Sequence, residues 1–194
     1  MKKVTSQKRK DQINKIIKYA KTYLNTDIEF IDSKSMGNDA GGYLSPQGQT
    51  RGKITIADNY NGIMTILILL HEIGHHIDFL KRGNPQDENE AYRYYPEKRG
   101  TSCPIKYRKY IRRIEDEAIR HAYELAIMLD LRLPSYQYLK DELFTKQSPE
   151  LILKNGPLTK KEIHSLKKKC SKQAKRLLKN VYGNKKRLPL PDRA

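Results

Sequence analysis

The sequence of 194 residues contains no tryptophan, two cysteines and five histidines. Cys103 and Cys170 stand at unrelated positions, which favours two free thiols over a disulfide framework or a zinc knuckle. No apolar run reaches the roughly 20 residues of a bilayer span. The longest, Ile63 to Leu70, is interrupted by Thr65, and the charged first ten residues lack the apolar segment of a signal peptide. We therefore expect a cytoplasmic protein with no membrane partner.

Acidic residues are scarce relative to basic ones. The chain has 39 Lys and Arg against 22 Asp and Glu, for a formal net charge of +17. The excess is uneven, because residues 158–194 contain thirteen cations and two carboxylates, Glu162 and Asp192. Such a basic C-terminal stretch indicates attraction to a polyanion, with nucleic acid first and an acidic protein or anionic lipid behind it. The alternative is a solvated helix face that only keeps the protein soluble.

Apolar periodicity predicts an α+β fold. Apolar residues spaced three and four positions apart indicate helices. Two short stretches of alternating apolar residues between the first two helices indicate strands. The predicted helices cover residues 6–24, 63–82, 88–95, 105–131, 136–144, 149–154 and from Thr159 onward; the predicted strands cover residues 27–31 and 53–57. Residues 32–51 should form a loop or an irregular hairpin around Gly42. We expect a domain over residues 1–134 and a helical, strongly basic extension over residues 135–194.

The second of these helices carries the motif His71-Glu72-Ile73-Gly74-His75. Residues four apart lie on one face of a helix, so His71 and His75 can occupy two corners of a zinc tetrahedron. Glu72 is offset by one position and can act as a general base toward water without binding the metal itself. Gly74 costs about 1 kcal/mol against alanine inside a helix, which indicates close approach of another element.

An open catalytic zinc site needs a third protein ligand. The metzincin pattern fails, because positions 78 and 81 are Asp and Lys. A carboxylate from the next long helix is the other common solution, and an antiparallel partner would present its middle to the histidine helix. Glu117 lies at the edge of that helix's apolar stripe and is the predicted ligand, with Glu115 and Glu90 as alternatives.

A further donor should stabilise the oxyanion that forms during hydrolysis. His121 lies one turn after Glu117 on the same face and is the predicted second catalytic residue beside Glu72. Tyr123 and Tyr43 are alternatives, and His121 could instead support Glu117 or have no catalytic role. His76 points away from His71 and is not expected to bind metal. Residues 53–57 could pair with an extended substrate by strand addition.

The chain resembles the ImmA/IrrE-like zinc metallopeptidases. The resemblance lies in residues 69–76 (LLHEIGHH) and 115–125 (EDEAIRHAYEL), the latter similar to a family helix of the form Glu-x-Glu-Ala-x-x-Phe-Ala-x-x-Leu. His121 replaces the usual Phe. The resemblance implies a small zincin-like domain, Zn²⁺ as cofactor, and cleavage of an intracellular regulatory protein. A SprT-like protease acting on DNA-bound proteins is the neighbouring possibility.

Two functional classes therefore compete. The first is a zinc metallopeptidase with a protein or peptide substrate. The second is a nucleic-acid-binding protein of a mobile element or phage, in which the helix containing His71 and His75 is structural or incidental. A metal-stabilised interaction protein is a third interpretation, distinguished by whether Glu72 is needed for function.

Overall fold

The computed structural model describes residues 7–36, 41–44, 51–60, 62–83, 90–91, 93–131 and 133–181. These residues form an α+β fold of five long helices and one three-stranded mixed sheet, so the predicted fold class is confirmed. The elements, in chain order, are α1 (Gln7–Tyr23), β1 (Thr26–Ile31), β2 (Gly41–Leu44), β3 (Gly52–Ala57), α2 (Gly62–Arg82), α3 (Ile105–Met128), α4 (Ser135–Asn155) and α5 (Lys160–Val181).

The chain divides into two compact units. One contains residues 1–83 and 117–131, and the other contains residues 84–116 and 132–194. Helix α3 runs without interruption through the division between Asp116 and Glu117, and so contributes to both units. The predicted boundary at residue 134 stays a prediction. In the structure, residues 84–116 group with α4 and α5.

The sheet has the order β1-β3-β2. β3 is the central strand, parallel to β1 and antiparallel to β2. Its alternating sequence buries Ile54 and Ile56 completely, as expected for a strand covered by helices. The two predicted strands are present with one-residue extensions. β2 forms where only a loop or irregular hairpin was predicted; it is four residues long and begins with two glycines, so its sequence carries little strand signal.

Helix α2 is the core helix of the first unit. Its run from Ile66 to Leu70 is buried, as are Ile73 and, on the adjacent helix α1, Ile16. By length and composition alone, α2 could span a membrane, but 61% of its most apolar stretch is buried inside the protein. This burial is typical of a core helix.

The second unit includes α4 and α5. The structure contradicts the prediction of two helical pieces at residues 136–144 and 149–154, because Ser135–Asn155 is one helix with Pro149 inside it. Proline removes one helical hydrogen bond, but here Pro149 is buried, so packing keeps the helix continuous. The predicted capping box at the start of α5 is confirmed: the Glu162 amide donates to Thr159 Oγ1 at 3.2 Å, and the Thr159 amide donates to Glu162 Oε2 at 2.7 Å. Of the predicted helix at residues 88–95, only Glu90 and Ala91 are described as helical.

Candidate metal centre

Helix α2 presents His71 and His75 on the same face, one turn apart. Their Nε2 atoms lie 3.1 Å from each other, and the two rings are inclined at 80°. Two imidazole ligands of a tetrahedral zinc ion, each about 2.0–2.1 Å from the metal, have nitrogens about 3.4 Å apart. The two nitrogens therefore lie close to the spacing that one small cation requires.

Glu115 provides the third group. One ligand atom from each of His71, His75 and Glu115 lies within 4.8 Å of the other two, and all three side chains are half-buried. Glu115 was the first alternative to the predicted ligand Glu117. A His₂Glu set with one open position is the donor set of many catalytic zinc sites. The site can thus hold a metal ion and leave room for water or substrate.

Gly74 explains how α3 reaches this face of α2. A Cβ on Gly74 would collide with the carbonyl group of Ala118 and lie 3.0 Å from the Ala118 Cα. The two backbones therefore touch at this point, as the glycine inside the helix predicted. Glu115 precedes Ala118 by three residues, just under one turn, so it lies on the side of α3 that faces the histidine pair.

Helices α2 and α3 run in the same direction in this region. Ala118 contacts Gly74, and further along both helices Lys81 Nζ approaches Glu124 Oε2 at 3.9 Å. The predicted antiparallel arrangement is therefore wrong. Residues 83–104 separate the two helices, so no short connection requires them to run antiparallel.

Glu72 lies beside the histidine pair in a buried position and is only 9% exposed. Strand β2 covers it: a Cβ on Gly41 would lie 2.9 Å from Glu72 Oε1 and 2.6 Å from Ile68 Cγ2. Glycine at position 41 thus lets the backbone of β2 pass directly over the carboxylate. A carboxylate in this sheltered position is suited to proton transfer, because little bulk water competes for it.

Glu117 and His121 lie in a second cluster of side chains, separate from the histidine pair. They group with Asp78 of α2, again with ligand atoms within 4.8 Å of one another. His121 is 1% exposed, and its Nδ1 lies 3.0 Å from Glu124 Oε2. His121 and Tyr123 are six and eight residues beyond Glu115, about 9 and 12 Å along the helix axis. The structure thus does not bring the predicted ligand Glu117, or His121, together with the histidine pair.

Arginine side chains neutralise this second cluster. Arg82 Nε donates to Asp78 Oδ1 at 2.6 Å, and Arg120 Nε donates to Glu117 Oε2 at 2.9 Å. Cations that already satisfy these carboxylates compete with any metal ion. The cluster is therefore best described as two ion pairs, one within α2 and one within α3, while Lys81 of α2 lies 3.9 Å from Glu124 of α3.

His76 has a structural position, in agreement with the expectation that it is not a ligand. Its Nε2 donates to the Leu24 carbonyl at 2.8 Å, and its Nδ1 accepts from the Tyr43 hydroxyl at 2.9 Å. Burial lowers the pKa of His76 and raises that of Tyr43. The neutral imidazole thus ties β2 and the α1–β1 turn to α2. Tyr43, an alternative oxyanion donor, already donates its proton to His76.

Glu90, the remaining alternative ligand, lies elsewhere. It accepts a hydrogen bond from the Tyr107 hydroxyl at 2.5 Å, within the second unit. The burial pattern along α3 alone favours Glu117 over Glu115 as the ligand. The missing signal was Gly74: the residue of α3 that meets this glycine determines which carboxylate faces the histidines. No family model, curated protein or solved structure matches the chain.

Proposed function

We propose that the protein is a zinc metallopeptidase that hydrolyses peptide bonds of an intracellular protein. The observation that carries this proposal is the convergence of His71 and His75 Nε2 at 3.1 Å with the Glu115 carboxylate close to both. Glu72 adds a buried carboxylate immediately next to the first ligand. A purely structural metal site has no use for a second carboxylate that follows its first histidine directly.

Zn²⁺ is the metal that the donor set favours. Two imidazoles and one carboxylate match zinc better than calcium or magnesium, which prefer oxygen ligands throughout. When bound, zinc would lower the pKa of a water molecule toward 7 and polarise the scissile carbonyl. His71, His75 and Glu115 would hold it.

Glu72 carries the acid–base chemistry in this proposal. Its carboxylate accepts the proton of the attacking water and then returns that proton to the amine that leaves from the cleaved peptide bond. Burial beneath Gly41 limits exchange of this proton with bulk solvent. Glutamine at position 72 keeps the size of the side chain but removes the base, so it separates catalysis from metal binding.

The substrate would meet the sheet at β2 and not at β3. β3 is paired on both sides, so the expectation that residues 53–57 bind an extended peptide is wrong. Within the described residues, β2 is an edge strand, and its Gly41 lies over Glu72. An extended peptide that adds to β2 would therefore pass close to the proposed catalytic carboxylate.

The proposed substrate class rests on the resemblance to ImmA/IrrE-like peptidases. That resemblance implies cleavage of a regulatory protein, and a SprT-like role implies cleavage of a DNA-bound protein. Either substrate would lie in the cytoplasm.

Metal content tests the proposal directly. The purified protein is reconstituted with zinc, dialysed and measured by elemental analysis as wild type, Glu115→Ala and Glu117→Ala. We expect about one zinc per chain in wild type and Glu117→Ala, and loss of at least about 10-fold in affinity in Glu115→Ala. Loss in Glu117→Ala alone would restore the original ligand assignment. Absence of stoichiometric zinc in the wild type would overturn the proposal.

A further inference from the structure

Helix α5 carries a row of lysines along one face. Lys160–Val181 contains nine cations and a single carboxylate, Glu162. At about 100° per residue, five of the lysines fall within a 60° arc of the helix surface. We call them the α5 lysine row: Lys161, Lys168, Lys172, Lys175 and Lys179. All five are exposed.

The opposite side of α5 is already occupied. Leu166, Cys170 and Ala174 are buried, with exposed fractions of 5%, 0% and 0%. Contacts with α4 flank this side, including the hydrogen bond from the Gln147 side chain to Gln173 at 2.9 Å. The α5 lysine row therefore lies on the face of the helix that points away from its own core.

The nearby carboxylates are paired with cations outside the row. Glu162 accepts hydrogen bonds from Arg99 at 2.8 and 3.1 Å, and Glu150 of α4 lies 3.0 Å from Arg112 and 2.9 Å from Lys154. Among the residues that the structure describes, no ion pair joins a carboxylate to a member of the row. Five ammonium groups along about 27 Å of helix thus produce a concentrated positive field.

We propose that the α5 lysine row binds the phosphate backbone of double-stranded DNA without sequence preference. This inference does not depend on the proposed peptidase activity, because the row uses none of the candidate metal-site residues. Lysines supply point charges that suit phosphates, whereas reading of base edges relies mainly on bidentate side chains such as arginine. The protein would therefore bind along a duplex wherever it meets one.

Charge density and composition favour a duplex over other polyanions. Duplex DNA carries one negative charge per about 1.7 Å, whereas an extended acidic peptide offers at most one per roughly 3.3 Å. Single-stranded nucleic acid is usually held by stacking on aromatic rings, and α5 contains no Phe, Tyr or Trp. Insertion into a membrane surface needs an apolar face, but the apolar stripe of α5 is buried.

Salt-dependent binding of the full-length protein to a 24-base-pair DNA duplex of random sequence tests the proposal. Release of five counterions gives a slope of about −4.5 for log K against log salt, so affinity should fall about 500-fold between 50 and 200 mM salt. Replacing all five lysines of the row by glutamine, which preserves helix propensity, should reduce the magnitude of that slope by about 4.5. Circular dichroism confirms that the variant remains folded.

A charge-matched variant provides the control. Glutamine is placed at five exposed lysines of the first unit, namely Lys8, Lys10, Lys18, Lys21 and Lys34. This variant loses the same net charge, and we expect it to keep most of the slope. An equal loss of slope in both variants, or no loss in the α5 variant, would overturn the proposal. So would tighter binding to duplex RNA, to polyglutamate or to anionic vesicles than to duplex DNA.

Discussion

The carbonyl group of Ala118 lies directly against the Cα of Gly74, and no side chain fits between them. This contact brings α2 and α3 together one turn from both His71 and Glu115. It therefore brings Glu115, the candidate third ligand, close to the histidine pair. The glycine is tolerated inside α2 because the close packing that it allows offsets its low helix propensity.

Gly74→Ala should destabilise the protein and weaken metal binding together. Alanine normally gains about 1 kcal/mol over glycine inside a helix, but here the added methyl group meets the rigid backbone of α3. We expect a loss of about 1–3 kcal/mol in the free energy of unfolding, measured in urea with a chelator present. Zinc affinity, measured by competition with a chromogenic chelator, should fall as well.

Gly42→Ala is the matched control for this prediction. A Cβ at Gly42 would approach only the Thr55 hydroxyl, at 3.3 Å, and that side chain can adjust. This variant should keep its zinc affinity. If Gly74→Ala bound zinc as tightly as wild type, the contact would not determine the position of Glu115.

Glu72→Gln should abolish peptidase activity and leave the zinc in place. The amide cannot accept a proton, and removal of a general base lowers rates by roughly 100- to 10,000-fold. Hydrolysis of denatured casein by the zinc-loaded protein measures activity, and elemental analysis measures metal. Equal hydrolysis rates in wild type and Glu72→Gln would show that this carboxylate is not the base, whereas loss of zinc would show that it is a ligand.

The sequence predicted the fold class and most elements because they depend on local periodicity. The apolar run before His71 and the alternation in β3 each bury one face, and such patterns are visible in a single chain. β2 was predicted only as part of a loop or an irregular hairpin, because two of its four residues are glycine. Pro149 was predicted to begin a new helix, since the energy of its tertiary packing is absent from the local sequence.

The candidate site was predictable only in part. His71, Glu72 and His75 share one helix, so their spacing alone places them side by side. Which carboxylate of α3 faces the histidine pair depends on how α3 is rotated, and the contact between Gly74 and Ala118 sets this rotation. About Ala118, Glu115 is rotated by about 60° to one side and Glu117 by about 100° to the other. Burial along α3 alone could not distinguish these two directions.

His76→Ala should lower the free energy of unfolding and leave the candidate metal ligands in place. The substitution leaves the Leu24 carbonyl and the Tyr43 hydroxyl without their imidazole partner and creates a cavity at a site that is 1% exposed. We expect a loss of about 2–4 kcal/mol in the free energy of unfolding, measured in urea with a chelator. Folded His76→Ala should still take up zinc.

His75→Ala, at the adjacent position, is the control for His76→Ala. His75 is half-buried and belongs to the candidate metal site, so its removal should abolish zinc uptake. Tyr43→Phe, which removes only one hydrogen bond to His76, should cost about 1 kcal/mol. If His76→Ala lost its zinc while remaining folded, the structural assignment of His76 would be wrong.

Glu162 should make the stability of the second unit depend on pH in the acid range. Hydrogen bonds from Arg99, followed by those from Thr159, lower the pKa of Glu162 from 4.5 to about 2. A carboxylate with a lowered pKa in the folded state stabilises the protein above its unfolded pKa, and this contribution disappears as the pH falls from about 4.5 toward 2. Glu162→Gln should therefore lower the urea midpoint at pH 6, and the difference from wild type should shrink across that interval.

Glu142→Gln serves as the control for the same change in charge. Glu142 pairs with Lys146 along the exposed surface of α4 at 2.9 Å and caps no helix, so its contribution should be small at every pH. The urea midpoints of wild type and both variants are compared at intervals between pH 2 and pH 7. A Glu162→Gln difference that stayed constant across this range would mean that the capping box and the Arg99 contact do not depend on the ionised carboxylate.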